Sequence, residues 1–307
     1  MTVFSLVSSN YCFIFIKNTK YIFQLNLYPI IAGNFMLDGG AMFGVVPKTI
    51  WQKTNPADNN NMIKIAARCL LIEDGNKLVL IDTGMGNKQS EKFFGYYYRW
   101  GKDSLEPSLR KYGFHADDIT DVFLTHLHFD HCGGGVTRLG ERSFETTFKN
   151  AKYWSNKNHW SWATDPNKRE SASFLKENIL PIEESGQLHY LEKDVENYLT
   201  KSSLGFEVLF VDGHTEKQMI PVVSYKGQKI AFAADLVPTH GHVPLPYIPG
   251  YDVRPLISLK EKELFLNFCH ENSVFLFFEH DASVELCSLK KTDRGVRLNE
   301  KVTLLDL

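Results

Sequence analysis

The chain has 307 residues, 43% of them apolar, and a formal net charge of −2. That length suits one large α/β domain with a substantial core, and the balanced charge excludes nucleic acid or an anionic membrane as the main partner. The five cysteines, Cys12, Cys69, Cys132, Cys269 and Cys287, are scattered with no CxxC pair, which argues against a disulfide framework and for a reducing, cytoplasmic compartment.

Residues 1–25 read as an N-terminal extension, dispensable to a domain at 26–307. Its apolar run Tyr11-Cys12-Phe13-Ile14-Phe15-Ile16 is too short to cross a bilayer and lacks a basic leader, so neither a membrane span nor a signal peptide is expected. Ile65 to Ile72 and Lys77 to Ile81 flank Glu73-Asp74-Gly75-Asn76 and predict a hairpin. A helix is expected over Asp103 to Tyr112, then a short strand over Asp121 to Leu124. Two more helices are expected, over Ser155 to Ala163 and over Pro166 to Asn178, the second with its proline at the start. Phe206 to Val211 reads as a strand. Met219 to Tyr225 and Lys229 to Ala233 form a second hairpin around Lys226-Gly227. A helix over Leu259 to Cys269, a strand over Val274 to Phe278, and the segments Val284 to Leu289 and Gly295 to Leu305 close the pattern. Strands come first, then mixed strands and helices, twice over, which predicts two packed sheets with helices outside.

The densest chemistry is Thr125-His126-Leu127-His128-Phe129-Asp130-His131-Cys132-Gly133-Gly134. In extended backbone, residues two apart project to the same side. His126 and His128 can therefore reach one metal while Leu127 and Phe129 turn into the core. Asp130 and His131 follow as the chain bends and face a neighbouring position. Four ligands so close in sequence rarely converge on one ion, so two metals are implied; imidazole and carboxylate suit zinc. As ordinary loop residues, this density would be a rare accident in a chain with 11 histidines. His214, Asp235 and His280 each follow the end of a separate apolar run, the form of a site built on a scaffold.

The HLHFDH run at 126–131, the DGH at 212–214, the strand-end Asp235 and His280 together resemble the metallo-β-lactamase fold hydrolases, over about residues 26–305. The resemblance implies an αββα sandwich of two mixed β-sheets with helices on the outer faces, carrying a two-metal centre at one edge. By position, His126, His128 and His214 would hold one metal, Asp130, His131 and His280 the other, and Asp235 would bridge them. Asp82, in Ile81-Asp82-Thr83-Gly84, matches the family's aspartate that orients a ligand histidine from behind. Having both His131 and Asp235 separates the chain from true β-lactamases, and His128 separates it from the flavodiiron branch. No basic cluster suits glutathione or a polynucleotide, which disfavours glyoxalase II and ribonuclease Z. The nearest resemblance is to the quorum-quenching lactonase and methyl parathion hydrolase branch, to which Ala234-Asp235-Leu236-Val237-Pro238 and Tyr251-Asp252 conform.

The resemblance implies a zinc-dependent hydrolase with two zinc ions, other divalent metals being admissible. It would attack a lactone or ester carbonyl with a metal-bridging hydroxide, and Asp130 and Asp235 would hold or relay protons. A phosphotriester or aryl ester hydrolase of the same fold, a di-metal redox protein, and a non-catalytic member stay open as alternatives. Two departures stand out. The family often continues GHTPG where this chain has Gly213-His214-Thr215-Glu216-Lys217, so that loop is expected to differ. Pro238 occupies a position where some acyl-homoserine lactonases carry a tyrosine. Pro238, His240, His242, Tyr247 and Tyr251 are the candidate substrate-loop residues, within a Pro244 to Pro249 wall suited to a neutral, apolar small molecule; Arg254 is the one nearby cation. The aromatic stretch Phe93 to Trp100 could wall an apolar substrate pocket, but reads first as core packing or a subunit interface, which leaves a homodimer open.

Overall fold

The structure, a computed structural model, describes residues 25–307. The expected extension and its apolar run therefore lie, apart from Leu25, outside the described residues. The strands β1 (Asn26–Asp38), β2 (Met62–Asp74), β3 (Lys77–Ile81) and β4 (Asp121–Phe123) precede a small separate hairpin, β5 (Val136–Arg138) and β6 (Phe144–Thr146). After it come β7 (Lys152–Ser155) and β8 (Leu188–Tyr190). The first sheet runs β1-β2-β3-β4-β7-β8, antiparallel as far as β3 and parallel beyond it. The second half supplies β9 (Thr200–Lys201), β10 (Glu207–Val211), β11 (Gln218–Tyr225), β12 (Gln228–Phe232), β13 (Val274–Phe277), β14 (Leu286–Thr292) and β15 (Gly295–Val302). These form a seven-stranded sheet in the order β15-β14-β13-β12-β11-β10-β9, antiparallel except for the β12–β13 pair.

The side-chain period of two explains why β2 reads as an almost unbroken apolar run. Ile63, Ile65, Ala67, Cys69 and Leu71 pack with Trp160, Ala163, Ile179 and Ile182 of the helices Lys157–Thr164 and Lys176–Glu184. Leu70 and Ile72 face the other way, into a cluster with Val208, Phe210, Ile230 and Phe277 of the second sheet. On the far side of that sheet lies the helix Pro255–Glu271, with Phe265 and Leu266 buried. The result is the expected α/β architecture, an αββα sandwich of two mixed sheets. Among the described residues no helix is long and apolar enough to cross a membrane, and Cys69, Cys132, Cys269 and Cys287 are buried and unpaired.

The structure adds strands absent from the sequence expectation, β1 and β5 to β9, and displaces one helix. β1 was not expected as a strand, because Pro29 and Gly33 break its pattern. As the edge strand it tolerates both, Pro29 pairing with Leu70 and a register shift falling between Ile31 and Gly33. The helix expected over Pro166 to Asn178 is displaced to Lys176–Glu184. The Asn167 side chain accepts hydrogen bonds from the backbone N–H of Arg169 (2.9 Å) and Glu170 (3.1 Å), turning the chain instead of letting it coil.

Beyond β13 the chain leaves its own sheet and leans on the first. Ala66 donates to the His280 carbonyl (3.3 Å), Arg68 N–H to that of Glu279 (3.0 Å), and Ile65 bridges Asp281. The buried Arg68 guanidinium adds bonds to the carbonyls of Phe278 (2.6 Å) and Val284 (3.2 Å).

Candidate metal centre

The loops after β3, β4, β10, β12 and β13 meet at one rim of the sandwich and bring all seven expected ligands together. His126 and His128 follow β4. Asp130 and His131 sit on the helical turn Phe129–Cys132, His214 follows β10, Asp235 sits on a short turn at Ala234–Leu236, and His280 follows β13. The turn can lie flat against residues 83–86 only because Gly133 and Gly134 carry no side chain. A Cβ on either would come within 2.2 Å of a backbone carbonyl oxygen, that of Met85 or Thr83. Asp82 and Ala234 hold left-handed backbone at φ 58° and 41°, strain of the kind found where a site over-determines its chain.

Of three clusters of potential donors among the described residues, two meet at Asp235, and the third, Asp82, His131 and Glu279, lies behind them. In the first, His126 Nε2 and His214 Nε2 lie 3.0 and 3.1 Å from His128 Nδ1. In the second, His131 Nε2 and His280 Nε2 are 3.1 Å apart, with the Asp130 carboxylate 3.9 and 3.7 Å from them. Asp235 touches both: its carboxylate is 3.1 Å from His214 Nε2 and 3.8 Å from His126 Nε2 on one side, and 3.1 Å from His280 Nε2 and 3.5 Å from His131 Nε2 on the other.

The electrostatics follow from this crowding. Burial and the neighbouring imidazoles hold His126 well below the usual histidine range, and burial lowers His128. For His214 and His280, burial acts downward but the Asp235 carboxylate outweighs it, raising them to about 10 and about 9. Burial would lift Asp235 itself; the charges of His131, His280 and His214 instead hold it well below the carboxylate range. Asp235 Oδ1 is buried with no hydrogen-bond partner. Imidazole nitrogens converging on a partly buried, under-satisfied carboxylate form a donor set that fits divalent cations of the zinc class.

Each ring is braced from behind. His131 Nδ1 meets Asp82 (3.1 Å) and Glu279 (2.9 Å); Asp82 also accepts from the Thr125 N–H (2.8 Å) and hydroxyl (2.6 Å). His280 Nδ1 donates to the Ala66 carbonyl (2.9 Å). His214 Nδ1 is held by Asp252 (2.9 Å), and His128 Nε2 lies 3.5 Å from Glu170. His126 Nδ1 meets the Thr125 hydroxyl (3.1 Å) and the Gln218 amide (3.4 Å). Asp82 stands behind His131, the position in which the resemblance expected it. Glu170 and Gln218 escaped the sequence reading because nothing in their local sequence marks them; Glu279 and Asp252 were noticed only as neighbours of other candidate residues.

Residues 65–267 match the model of the metallo-beta-lactamase superfamily. The chain belongs to that superfamily. An N-acyl homoserine lactonase from a Bacillus species is 25% identical over 276 residues, 84% of this chain and 94% of that protein. The chain spans only 43% of the length of other N-acyl homoserine lactonases it matches, such as that of Bacillus cereus, 26% identical over 118 residues. Among solved structures, a probable metal-dependent hydrolase from Staphylococcus aureus superposes with a TM-score of 0.80 at 27% identity, covering 92% of this chain and 99% of that one. The dizinc quorum-quenching lactonase AidC, bound to its product N-hexanoyl-L-homoserine, shares the fold at a TM-score of 0.74 and 22% identity, over 92% and 96% of the two chains.

Against the superfamily pattern, the GHTEK loop proves instructive. Lys217 stands where the pattern has glycine and adopts the left-handed conformation glycine favours, φ 49°. Its N–H (3.0 Å) and Nζ (2.7 Å) both bond Asp212, which anchors the turn. Glu261, on the long helix, accepts from the N–H groups of Asp212 (2.8 Å) and Gly213 (2.9 Å) and so fixes the approach to His214.

The substrate-loop candidates separate. Both nitrogens of His242 are engaged, by the Thr239 hydroxyl (2.8 Å) and the Met42 carbonyl (2.9 Å), and its ring stacks on Phe43. His240 pairs with Asp281, and Pro238 is buried. Arg254 is occupied by Glu216 (2.9 Å) and the Asp212 carbonyl (2.6 Å), with its guanidinium over Trp162. Tyr247 packs, half-buried, against the first-sheet core. Tyr251, 41% exposed, feels burial and the charges of Asp130, Asp38 and Asp235, all of which raise its phenol. The buried Lys262 holds this loop, its Nζ donating to the carbonyls of Pro244 (3.1 Å) and Tyr247 (2.8 Å).

The aromatic stretch lies closer to the centre than expected. Phe93 and Tyr97 pack on Phe129 with centroids 5.2 and 4.9 Å apart, and Phe35, 6.5 Å from Tyr97, meets the His280 ring edge-on at 6.0 Å. Burial, with Asp130 beside it, pushes the Tyr97 phenol up to about 12. Phe93 and Tyr97 therefore form a wall next to the metal ligands, while Tyr96 and Tyr98 point outward.

Proposed function

We propose that the protein is a metal-dependent hydrolase of neutral lactones and aryl esters, working with two divalent cations, zinc first among them. The observation that carries this reading is Asp235, one partly buried carboxylate shared between two sets of candidate ligand side chains. His126, His128 and His214 would hold one ion, Asp130, His131 and His280 the other, and Asp235 both. Bound there, the pair supplies Lewis acidity toward a carbonyl oxygen and lowers the pKa of water.

The remaining work falls to side chains. Asp130, at the rim of the second group, is placed to accept a proton and return it to a leaving alkoxide. Phe35, Phe93, Tyr97 and Phe129 offer an apolar wall, and Tyr251 a hydroxyl at the mouth. With Arg254 already paired, the loop presents no free cation to a substrate carboxylate, which favours neutral substrates over anionic antibiotics. The relatives named as lactonases support the same class. The test is metal analysis of the purified protein, then steady-state rates on lactones, aryl esters, phosphotriesters and β-lactams. Two zinc-type ions per chain and fastest turnover on a lactone or aryl ester are expected. A penicillin or cephalosporin cleaved faster than every lactone and ester would sink the reading.

A further inference from the structure

The segment between the helices Lys157–Thr164 and Lys176–Glu184 carries a group with no assigned task. Glu170 is 3% exposed, and one carboxylate oxygen, Oε2, is taken by Trp162 Nε1 (2.8 Å) and Asn167 Nδ2 (2.5 Å). The other, Oε1, has no hydrogen-bond partner, and neither has His128 Nε2; the two buried atoms face each other at 3.5 Å. A buried donor and a buried acceptor left over side by side are costly unless they serve one another.

We propose that Glu170 is a positioning residue for the first metal group: its carboxylate accepts a hydrogen bond from the Nε2–H of His128, which keeps the ring proton on Nε2 and leaves Nδ1 as the free lone pair toward His126 and His214. This rests on the metal-centre reading above. A neutral imidazole carries one proton, and the nitrogen that holds it is chosen by the partner on the other side of the ring. Nδ1 is the nitrogen that meets His126 and His214, so the proton belongs on Nε2, and Glu170 is the acceptor there. This excursion and the helix before it together fix the backbone on both flanks of His128. His159 Nε2 accepts from the Leu127 N–H (2.9 Å), and the Ser173 carbonyl accepts from the Phe129 N–H (2.9 Å). Phe174 lies 4.7 Å from the His128 ring and limits its rotation. Burial keeps His159 neutral, with its pKa lowered to about 3, so it stays an acceptor at every working pH.

The experiment is zinc competition against a chromophoric chelator, using full-length zinc-loaded protein. Glu170→Ala should weaken one of the two zinc ions by roughly 10–100-fold, the usual scale for losing a carboxylate behind a ligand histidine. Glu170→Gln, whose amide oxygen also accepts, should recover most of that affinity. Trp162→Phe, which removes a bond to Oε2 and leaves Oε1 in place, should bind zinc as the wild type does. Nitrogen-15 NMR of the wild type should show the His128 proton on Nε2; this readout stands even if Glu170→Ala fails to fold. Wild-type zinc affinity in Glu170→Ala, or a His128 ring bare at Nε2, would overturn the proposal and leave the two-metal reading intact. A wild type that binds no zinc would instead overturn the reading beneath it.

Discussion

The two ligand groups are built on different foundations. His131 and His280 are backed by Asp82 and Glu279, which follow strand ends, and by a carbonyl inside β2, that of Ala66, all of them buried. His128 and His214 are backed by Glu170 and Asp252, which stand on irregular chain, and Arg169 links these two stretches through the Gly250 and Asp252 carbonyls. The second group is part of the sandwich; the first is propped from outside it. Supports on strand ends come with the fold, whereas supports on loops must be specified one residue at a time.

The largest test of this contrast removes what the groups share. Asp235→Asn should cut turnover by roughly 10²–10³-fold, the scale of losing one preorganised charge-stabilising group, and lower the metal content. Full turnover with both ions in place would show that Asp235 is not shared. Next, Asp82→Asn and Asp252→Asn should each cost roughly 10–100-fold in metal affinity, but at different ions. Stepwise metal titration should find the second group weakened by the former and the first group by the latter; one common loss would erase the distinction.

A smaller effect probes the loop support through Lys262. Burial is the main cause that brings its pKa from 10.5 down to about 7, with Asp252 raising it and Arg297 lowering it. Between about pH 7 and 10.5 the unfolded chain holds a proton that the folded chain lacks, so stability from this residue rises with pH across that window and is flat below it. Lys262→Met should flatten the rise in melting temperature between pH 7 and 10; an unchanged slope would count against it. The smallest effect concerns Lys217. Glycine there relieves about 1–2 kcal/mol of left-handed strain but loses a part-exposed pair with Asp212, so Lys217→Gly should shift stability by less than about 1 kcal/mol. A large destabilisation in denaturant melts would show that the Asp212 pair governs the turn.

The same contrast explains what could be read in the sequence. The seven candidate ligands were legible because they end apolar runs and four of them fall within six residues, and Asp82 was legible through the family resemblance. Glu170 was not, because its role depends on the chain turning at Asn167 where periodicity alone predicted a helix. Tyr97 and Phe93 looked like packing and do pack; only the position of Phe129, between His128 and Asp130, turns that packing into a wall of the site. β1 was missed because an edge strand tolerates the proline and glycine that a central strand would reject.

The passage of residues 279–281 from one sheet onto β2 has a consequence for assembly. The candidate ligands come from both sheets and span positions 126 to 280, so ions held among them would act as staples between two halves of the chain that, among the described residues, no disulfide joins. Such a staple cannot close until the C-terminal strands have been synthesised and docked. Once closed, each ion adds to stability in proportion to the logarithm of its free concentration over its dissociation constant, which makes the resistance of the sandwich to unfolding a measure of metal supply.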